Sequence, residues 1–225
     1  MRRICIEKRG LSRVVRRGLY MNVLPLFSSP VTTDMYELDR DEIELIKREP
    51  FHSHTYDLDG LSTDDRNILT KTPNLFHVVH SHIKKSLYDN LKIVDNIGYK
   101  VTSSWLNNHP PRHSAHGHSH VNSMFTGVLY VDCPQDSGEL IFVMPYTTPT
   151  WNTGTIQPEV KEHNIFNSRE WRLPTPTGMC ILFPSHLRHG VTTNESGRNR
   201  YSIGFNIMLE GHIGVSDETI NIRLL

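Results

Sequence analysis

The chain has 225 residues, 37 % of them hydrophobic, and its acidic and basic side chains balance at 24 each. Such a chain can bury one sizeable core, and its zero formal charge carries no signature of a nucleic-acid partner. No apolar run approaches the ~18 residues of a membrane span. Cys5, Cys133 and Cys180 are odd in number and far apart, which argues against a disulfide framework and fits a reducing, cytoplasmic setting.

In chain order, residues 1–20 are basic, with Arg2, Arg3, Lys8, Arg9, Arg13, Arg16 and Arg17 against a single Glu7. They lack the apolar centre of a secretory signal. They are expected to be a disordered tail or to lie upstream of a start at Met21; a mitochondrial-type presequence fits the same composition. A single domain is expected over 21–225. Val23, Leu24, Leu26 and Phe27 suggest a short opening strand. Leu38–Glu49 predicts a short amphipathic helix with Asp39 or Asp41 as its N-cap and Pro50 as its stop.

Pro73 to about Leu91 predicts the longest helix. Thr72 is placed to cap it, and Leu75, Phe76, Val79, Ile83, Leu87 and Leu91 recur at helical spacing. His77, His80 and His82 read as surface or boundary positions on it. After Gly98 the pattern turns to strands: Tyr99–Leu106, Met124–Val131, Glu139–Met144, Gly178–Phe183 and Tyr201–Leu209, with weaker candidates at Val160–Ile165 and Glu170–Leu173. Short strands between turn signals predict a mainly β sandwich or barrel core over about 99–209, with the N-terminal helices packed against it.

The chain's informative excess is histidine, 14 residues in all. His113, His116, His118 and His120 fall together in HSAHGHSH, just before a predicted strand. On an extended segment His118 and His120 project to one side, and His116 shares it. Imidazole is a favoured ligand of divalent iron, copper, nickel or zinc. His189, in PSHLRHG after a buried strand, is the candidate third ligand; His186, three residues earlier, is its rival. Arg200 follows on the next strand with Ser202 on the same face. An arginine buried beside a metal requires an anion, and its fork matches a carboxylate, to which Ser202 adds a hydroxyl donor.

Together, SWLN (Ser104–Asn107), HSHVNSMFTGVLYV (His118–Val131), GELIF (Gly138–Phe142), LFPSHLRHGVTTN (Leu182–Asn194) and RYSIGFN (Arg200–Asn206) resemble the 2-oxoglutarate/Fe(II)-dependent oxygenases of phages and marine bacteria, within the prolyl-hydroxylase-like superfamily. The resemblance spans roughly Met21–Leu209. It implies a double-stranded β-helix (jelly-roll) fold with Fe(II) and the cosubstrate 2-oxoglutarate at its open end. His189 would be the distal metal ligand, and Arg200 and Ser202 would grip the far carboxylate of 2-oxoglutarate. The reaction implied hydroxylates a substrate with O2, releasing succinate and CO2. The expected compartment is the cytoplasm, or the host cytoplasm for a viral chain.

One departure stands out. The superfamily's usual motif is His-x-Asp/Glu with a distant histidine, whereas this chain has His-x-His and no acid between His113 and Val131. The expected ligands are His118, His120 and His189. The alternatives are a folded-back Asp132 or Glu139, or a His116-x-His118 register with His120 behind it. Tyr130 is a further candidate for 2-oxoglutarate. His116, Asn122, Ser123, Trp105, Asn107 and Asn206 are candidates for lining the pocket or orienting its ligands. Two rival functions stay open: a cupin-like three-histidine dioxygenase that uses no 2-oxo acid, and a non-catalytic jelly-roll binding protein. The substrate, a small molecule or a peptidyl group, is not written in the motifs; loop Tyr146–Gln157 is expected to govern it.

Overall fold

Phe125–Asp132 and Arg200–Val215 are rich in β-branched and aromatic residues, and in the computed structural model they form adjacent central strands. The structure describes residues 28–53, 60–144, 158–215 and 218–224. The basic tail, the opening strand expected at 23–27 and the loop 146–157 lie outside them.

The strands are β1 (Thr32–Met35), β2 (Phe51–Ser53), β3 (Leu61–Thr63), β4 (Gly98–His109), β5 (Ala115–His118), β6 (Phe125–Asp132), β7 (Glu139–Val143), β8 (Glu170–Pro174), β9 (Met179–Pro184), β10 (His189–Val191), β11 (Arg200–Val215) and β12 (Glu218–Ile222). Helix α1 spans Arg40–Ile46, and α2 spans Pro73–Lys84 and runs on into a π-helical turn, Lys85–Asn90. Two antiparallel sheets result. The larger has the order β1-β9-β6-β11-β4-β3-β2, with β12 paired to the far half of β11; the smaller has the order β5-β10-β7-β8. This is the double-stranded β-helix that the sequence resemblance implied. The expected strand at Val160–Ile165 does not form. Two short strands, β5 and β10, arise instead inside the histidine-bearing segments.

The two faces of the larger sheet serve different layers. Leu106, Leu129, Val131, Ile203, Phe205 and Ile207 point to the helices and meet Ile43, Leu75, Val79, Ile83 and Leu87 in the main core. Burial of each such side chain contributes about 1.5–3 kcal/mol. On the opposite face, Tyr130, Ile181 and Phe183 pack with Leu140 of the smaller sheet in a second, smaller core. That inner chamber holds the candidate site.

The helices are fastened in a way that sequence spacing did not show. Asp39 caps α1, accepting from the Asp41 and Glu42 amides at 3.0 and 3.1 Å. Thr72 stands at the N-cap of α2, but its hydroxyl turns back to the Leu69 carbonyl. The first amides of α2 are met by Glu42 of α1, whose two carboxylate oxygens accept from the Asn74 and Leu75 N–H groups at 2.9 Å each. His82 is a correction to the surface reading. It is 2 % exposed and sits between the Tyr36 hydroxyl at 3.2 Å and the Thr32 hydroxyl at 3.3 Å, because its ring faces β1 rather than water.

Replacing Glu42 with alanine removes two helix-terminal acceptors at once. It is expected to lower unfolding stability by about 1–2 kcal/mol, the range of a lost N-cap. Urea denaturation should show a shifted midpoint at unchanged slope, and an unshifted midpoint would refute the inter-helix cap.

Candidate active site

Strand pairing brings the two histidine segments together. β5 lies antiparallel to β10 with His118 opposite His189, and His189 is also opposite Phe142 of β7. Residues opposed in this way present their side chains on the same face. The chain beyond β5 then carries His120 to the same place, where its amide donates to the Ser185 carbonyl at 3.0 Å. Ligand nitrogens of His118, His120 and His189 all lie within 4.8 Å of one another. Ring centroids are 4.6 Å apart for His118 and His189 and 5.2 Å for His120 and His189.

The backbone sets the tautomers of two of these rings. His118 Nδ1 faces the His116 carbonyl at 2.9 Å, and His189 Nδ1 faces the Leu187 carbonyl at 2.9 Å. A carbonyl oxygen only accepts, so each Nδ1 carries the proton and each Nε2 keeps its lone pair for an ion. His120 is held by side chains instead. Its ring stacks on Trp105 at 5.7 Å and hydrogen-bonds the Asn206 amide. Asn206 accepts from the Thr126 hydroxyl at 2.9 Å and donates to Ser103 Oγ at 3.2 Å. Thr126 is in turn 2.9 Å from Ser185 Oγ, and Ser185 donates to Ser123. Burial, then the neighbouring His118, lowers His120 to about 4. Burial above all, reinforced by the two neighbouring histidines, lowers His189 to about 3.

Other candidates stand apart. His116 and His186 are exposed and outside the converged group. Asn122 is exposed at a left-handed turn, φ 57°, where it shapes the chain between His120 and β6 rather than facing the imidazoles. Asp132 lies at the far end of β6, paired with Lys47 at 2.7 Å and Arg198 at 3.5 Å. Glu139 begins β7, opposite Pro174 and three residues from Phe142, which neighbours His189. Among the described residues no carboxylate belongs to the cluster.

Along β11 the inward positions are Arg200, Ser202, Gly204 and Asn206. In register, Ser202 is flanked by Asn107 on β4 and Tyr130 on β6, and Gly204 by Trp105 and Val128. The Trp105 indole lies across Gly204, where a Cβ would come within 2.6 Å of the ring. Trp105 Nε1 donates to Asn107 Oδ1 at 3.0 Å, and the Arg66 guanidinium stands 5.7 Å from the Trp105 ring centroid.

Arg200 is 1 % exposed. Its Nη1 donates to the Ser137 carbonyl at 3.1 Å, its Nε is buried without a hydrogen-bond partner, and burial depresses its pKa. No carboxylate of the described residues pairs with it. Gly138, at φ +101°, lets the chain pass beside it; a Cβ there would stand 3.1 Å from Nη1 and 2.5 Å from the Thr192 carbonyl. Tyr130 beside Ser202 is fully buried, which raises its phenol and keeps it neutral. A buried cation lacking a counter-charge is costly, so the chamber is made for an anion. Three converged imidazoles, and a buried guanidinium without a carboxylate partner on the strand that also carries Asn206, fit an iron ion and a dicarboxylate.

Residues 103–206 match the family model described as "Putative 2OG-Fe(II) oxygenase", a span that runs from Ser103 to Asn206 and contains every residue of this site. Over that span, a little under half of its length, the chain is similar to the 2OG-Fe(II) oxygenase family. Its activity is therefore that of an Fe(II)- and 2-oxoglutarate-dependent oxygenase. No curated protein matches it in sequence. Solved structures of similar fold include the non-heme alpha-ketoglutarate-dependent carbocyclase SnoK of nogalamycin biosynthesis (TM-score 0.56, 13 % identity, 82 % of this chain and 81 % of that one). A prolyl-4-hydroxylase of Pseudomonas putida is similar as well (0.54, 14 %, 80 % and 92 %). So is HygX of Streptomyces hygroscopicus, solved with nickel and 2-oxoglutarate (0.51, 8 %, 80 % and 82 %). At these identities the likeness is one of fold.

The sequence had no signal for Thr126, Ser185 or Phe142 as neighbours of the site of this oxygenase. Phe142 meets His189, and Ser185 and Asn206 meet His120, from positions remote in sequence, and Thr126 acts on His120 through Asn206. The depressed His120 and His189 also set a pH dependence for the metal-free oxygenase. Below about 6.5 the unfolded chain takes up protons on both imidazoles while the folded chain does not, until about 4 and 3. Stability is therefore expected to fall as pH drops from neutral through that window. Thermal midpoints of metal-free wild type should decline with acidification, and the His120→Asn/His189→Asn double variant should decline less. Identical profiles would refute neutral burial of these rings.

Proposed function

We propose that His118, His120 and His189 hold Fe(II) through their Nε2 atoms and that Arg200 receives the far carboxylate of 2-oxoglutarate. Ser202 adds a hydroxyl donor to that carboxylate, and Tyr130, as a neutral phenol, a second. The observation that carries this reading is the buried Arg200 guanidinium, lacking a carboxylate partner, on the wall that also bears Asn206 beside His120. Ser202 and Asn206 are four residues apart, about 13 Å along a strand, and side chains reaching inward from both ends shorten that gap. Held by these residues, iron and the 2-oxo acid would supply oxygen activation, with 2-oxoglutarate and O2 becoming succinate and CO2 as a substrate C–H bond becomes C–OH.

The chain's own residues bind, orient and exclude water. Hydrogen bonds from Nδ1 of His118 and His189 hold those rings from rotating, and the Asn206 contact does so for His120. Phe183, with its ring centroid 4.7 Å from that of His189, and Trp105 wall the chamber. The substrate, a small molecule or a peptidyl group, enters at the open end past Trp171. That residue is 44 % exposed and lies in the same register row as Phe142, His189 and His118. The reading takes 21–225 as one oxygenase domain working in the cytoplasm. A three-histidine dioxygenase that uses no 2-oxo acid leaves the buried Arg200 without a purpose.

Anaerobic addition of Fe(II) and 2-oxoglutarate is expected to produce a visible metal-to-ligand absorption band, and admitting O2 to produce succinate. Absence of both would sink the proposal. Arg200→Ala is expected to raise the 2-oxoglutarate KM about 30-fold or more, the effect of stripping one partner from a buried charge pair. An unchanged KM would remove Arg200 from the cosubstrate site. His189→Ala is expected to abolish iron binding in equilibrium dialysis; full retention would move the distal ligand elsewhere.

A further inference from the structure

Resting on the iron and 2-oxoglutarate reading above, we propose that the all-imidazole centre makes metal retention depend on the cosubstrate. 2-Oxoglutarate then serves as the negative charge that the protein's own ligands do not supply, and the oxygenase holds its metal firmly only when the dianion is present.

The argument is one of charge inside a single chamber. Among the described residues the metal-binding cluster is His118, His120 and His189, with no carboxylate. Neutral imidazole is the form that binds metal. A divalent ion there gains no charge–charge attraction from its ligands, and β11, which carries Asn206 beside His120, also carries Arg200, a buried cation with no carboxylate partner among the described residues. Both the ion and the buried guanidinium are positive, and neither charge is met by a protein carboxylate among the described residues. A dianion bridging them offsets both. Chelation by a 2-oxo acid tightens metal binding at any such centre; the excess expected here comes from the missing carboxylate and from Arg200.

His120 is no casual substitute at the position where a carboxylate would remove the effect. Trp105 stacks on its ring, and Asn206, itself fixed by Thr126 and Ser103, hydrogen-bonds it. The socket is shaped for an uncharged ring. Linkage requires the coupling to be reciprocal, so the metal must tighten 2-oxoglutarate by the same factor.

The test is anaerobic equilibrium binding of Co(II), a redox-quiet probe, to the full chain with and without saturating 2-oxoglutarate. It is done on wild type, His120→Asp and Asn206→Asp, with circular dichroism to confirm that each is folded. Wild type is expected to bind Co(II) at least about tenfold more tightly with 2-oxoglutarate. Asn206→Asp keeps the three imidazoles but returns one negative charge to the chamber, so its coupling should shrink several-fold. His120→Asp should retain Co(II) in the absence of 2-oxoglutarate. Equal coupling in wild type and a folded Asn206→Asp would overturn the inference while leaving the oxygenase reading intact. Failure of folded wild type to bind either Co(II) or 2-oxoglutarate would instead overturn the oxygenase reading on which the inference rests.

Discussion

Alternation along β11 is the constraint on which the other features depend. Ile203, Phe205, Ile207 and Leu209 are buried against the helices, which forces the residues between them toward the smaller sheet. Arg200, Ser202, Gly204 and Asn206 therefore face the chamber. A slip of one residue would send the guanidinium into the helix-facing core and the leucine and isoleucines into the site. The apolar face thus holds the polar one in place, since several buried aliphatic side chains at about 1.5–3 kcal/mol each outweigh the cost of a single buried charge. Register shifts at Tyr201/Ser202 against β6 and at Asn206/Ile207 against β4 lie close to either end of this run.

The smaller sheet is held by fewer and shorter strands, and backbone hydrogen bonding compensates at the point of function. β10 is three residues long and β5 four, yet they place His118 and His189 opposite one another and lock both Nδ1 atoms on carbonyls two residues back. Two of the three converged imidazoles are thereby oriented by main chain, which side-chain mutation elsewhere disturbs little. His120 lies beyond the end of β5 and has no such carbonyl, so it depends on the chain of polar side chains from Ser103 to Ser123. Its geometry is correspondingly the one most open to change by substitution.

Sequence reading found the large strands, both helices and the residues that converge, because each of those leaves a local signature. Leu75, Val79, Ile83 and Leu87 recur at helical spacing, and every one is fully buried. His118, His120 and His189 were legible from residue chemistry, and Arg200 with Ser202 from their shared parity on a strand. Val160–Ile165 misled, since its apolar residues are scattered among charges and no neighbouring strand claims them. The burial of His82 was hidden because a helix position reveals which stripe it occupies but not that β1 would cover that stripe's edge with Tyr36 and Thr32.

The sequence by itself determined the mainly β architecture, the absence of an acid from the His-x-His motif, and the identity of the one arginine whose strand parity aims it inward. These are properties of order and spacing along the chain. Only the tertiary structure decided which histidines of the cluster meet His189, that Asp132 is spent on Lys47 and Arg198, and that Arg200 is buried without a carboxylate beside it. It also decided that Glu42 of one helix caps the next. The physical reason is common to all four. Each turns on a distance between residues remote in sequence, and such distances are set by strand register and layer packing, to which local pattern is blind.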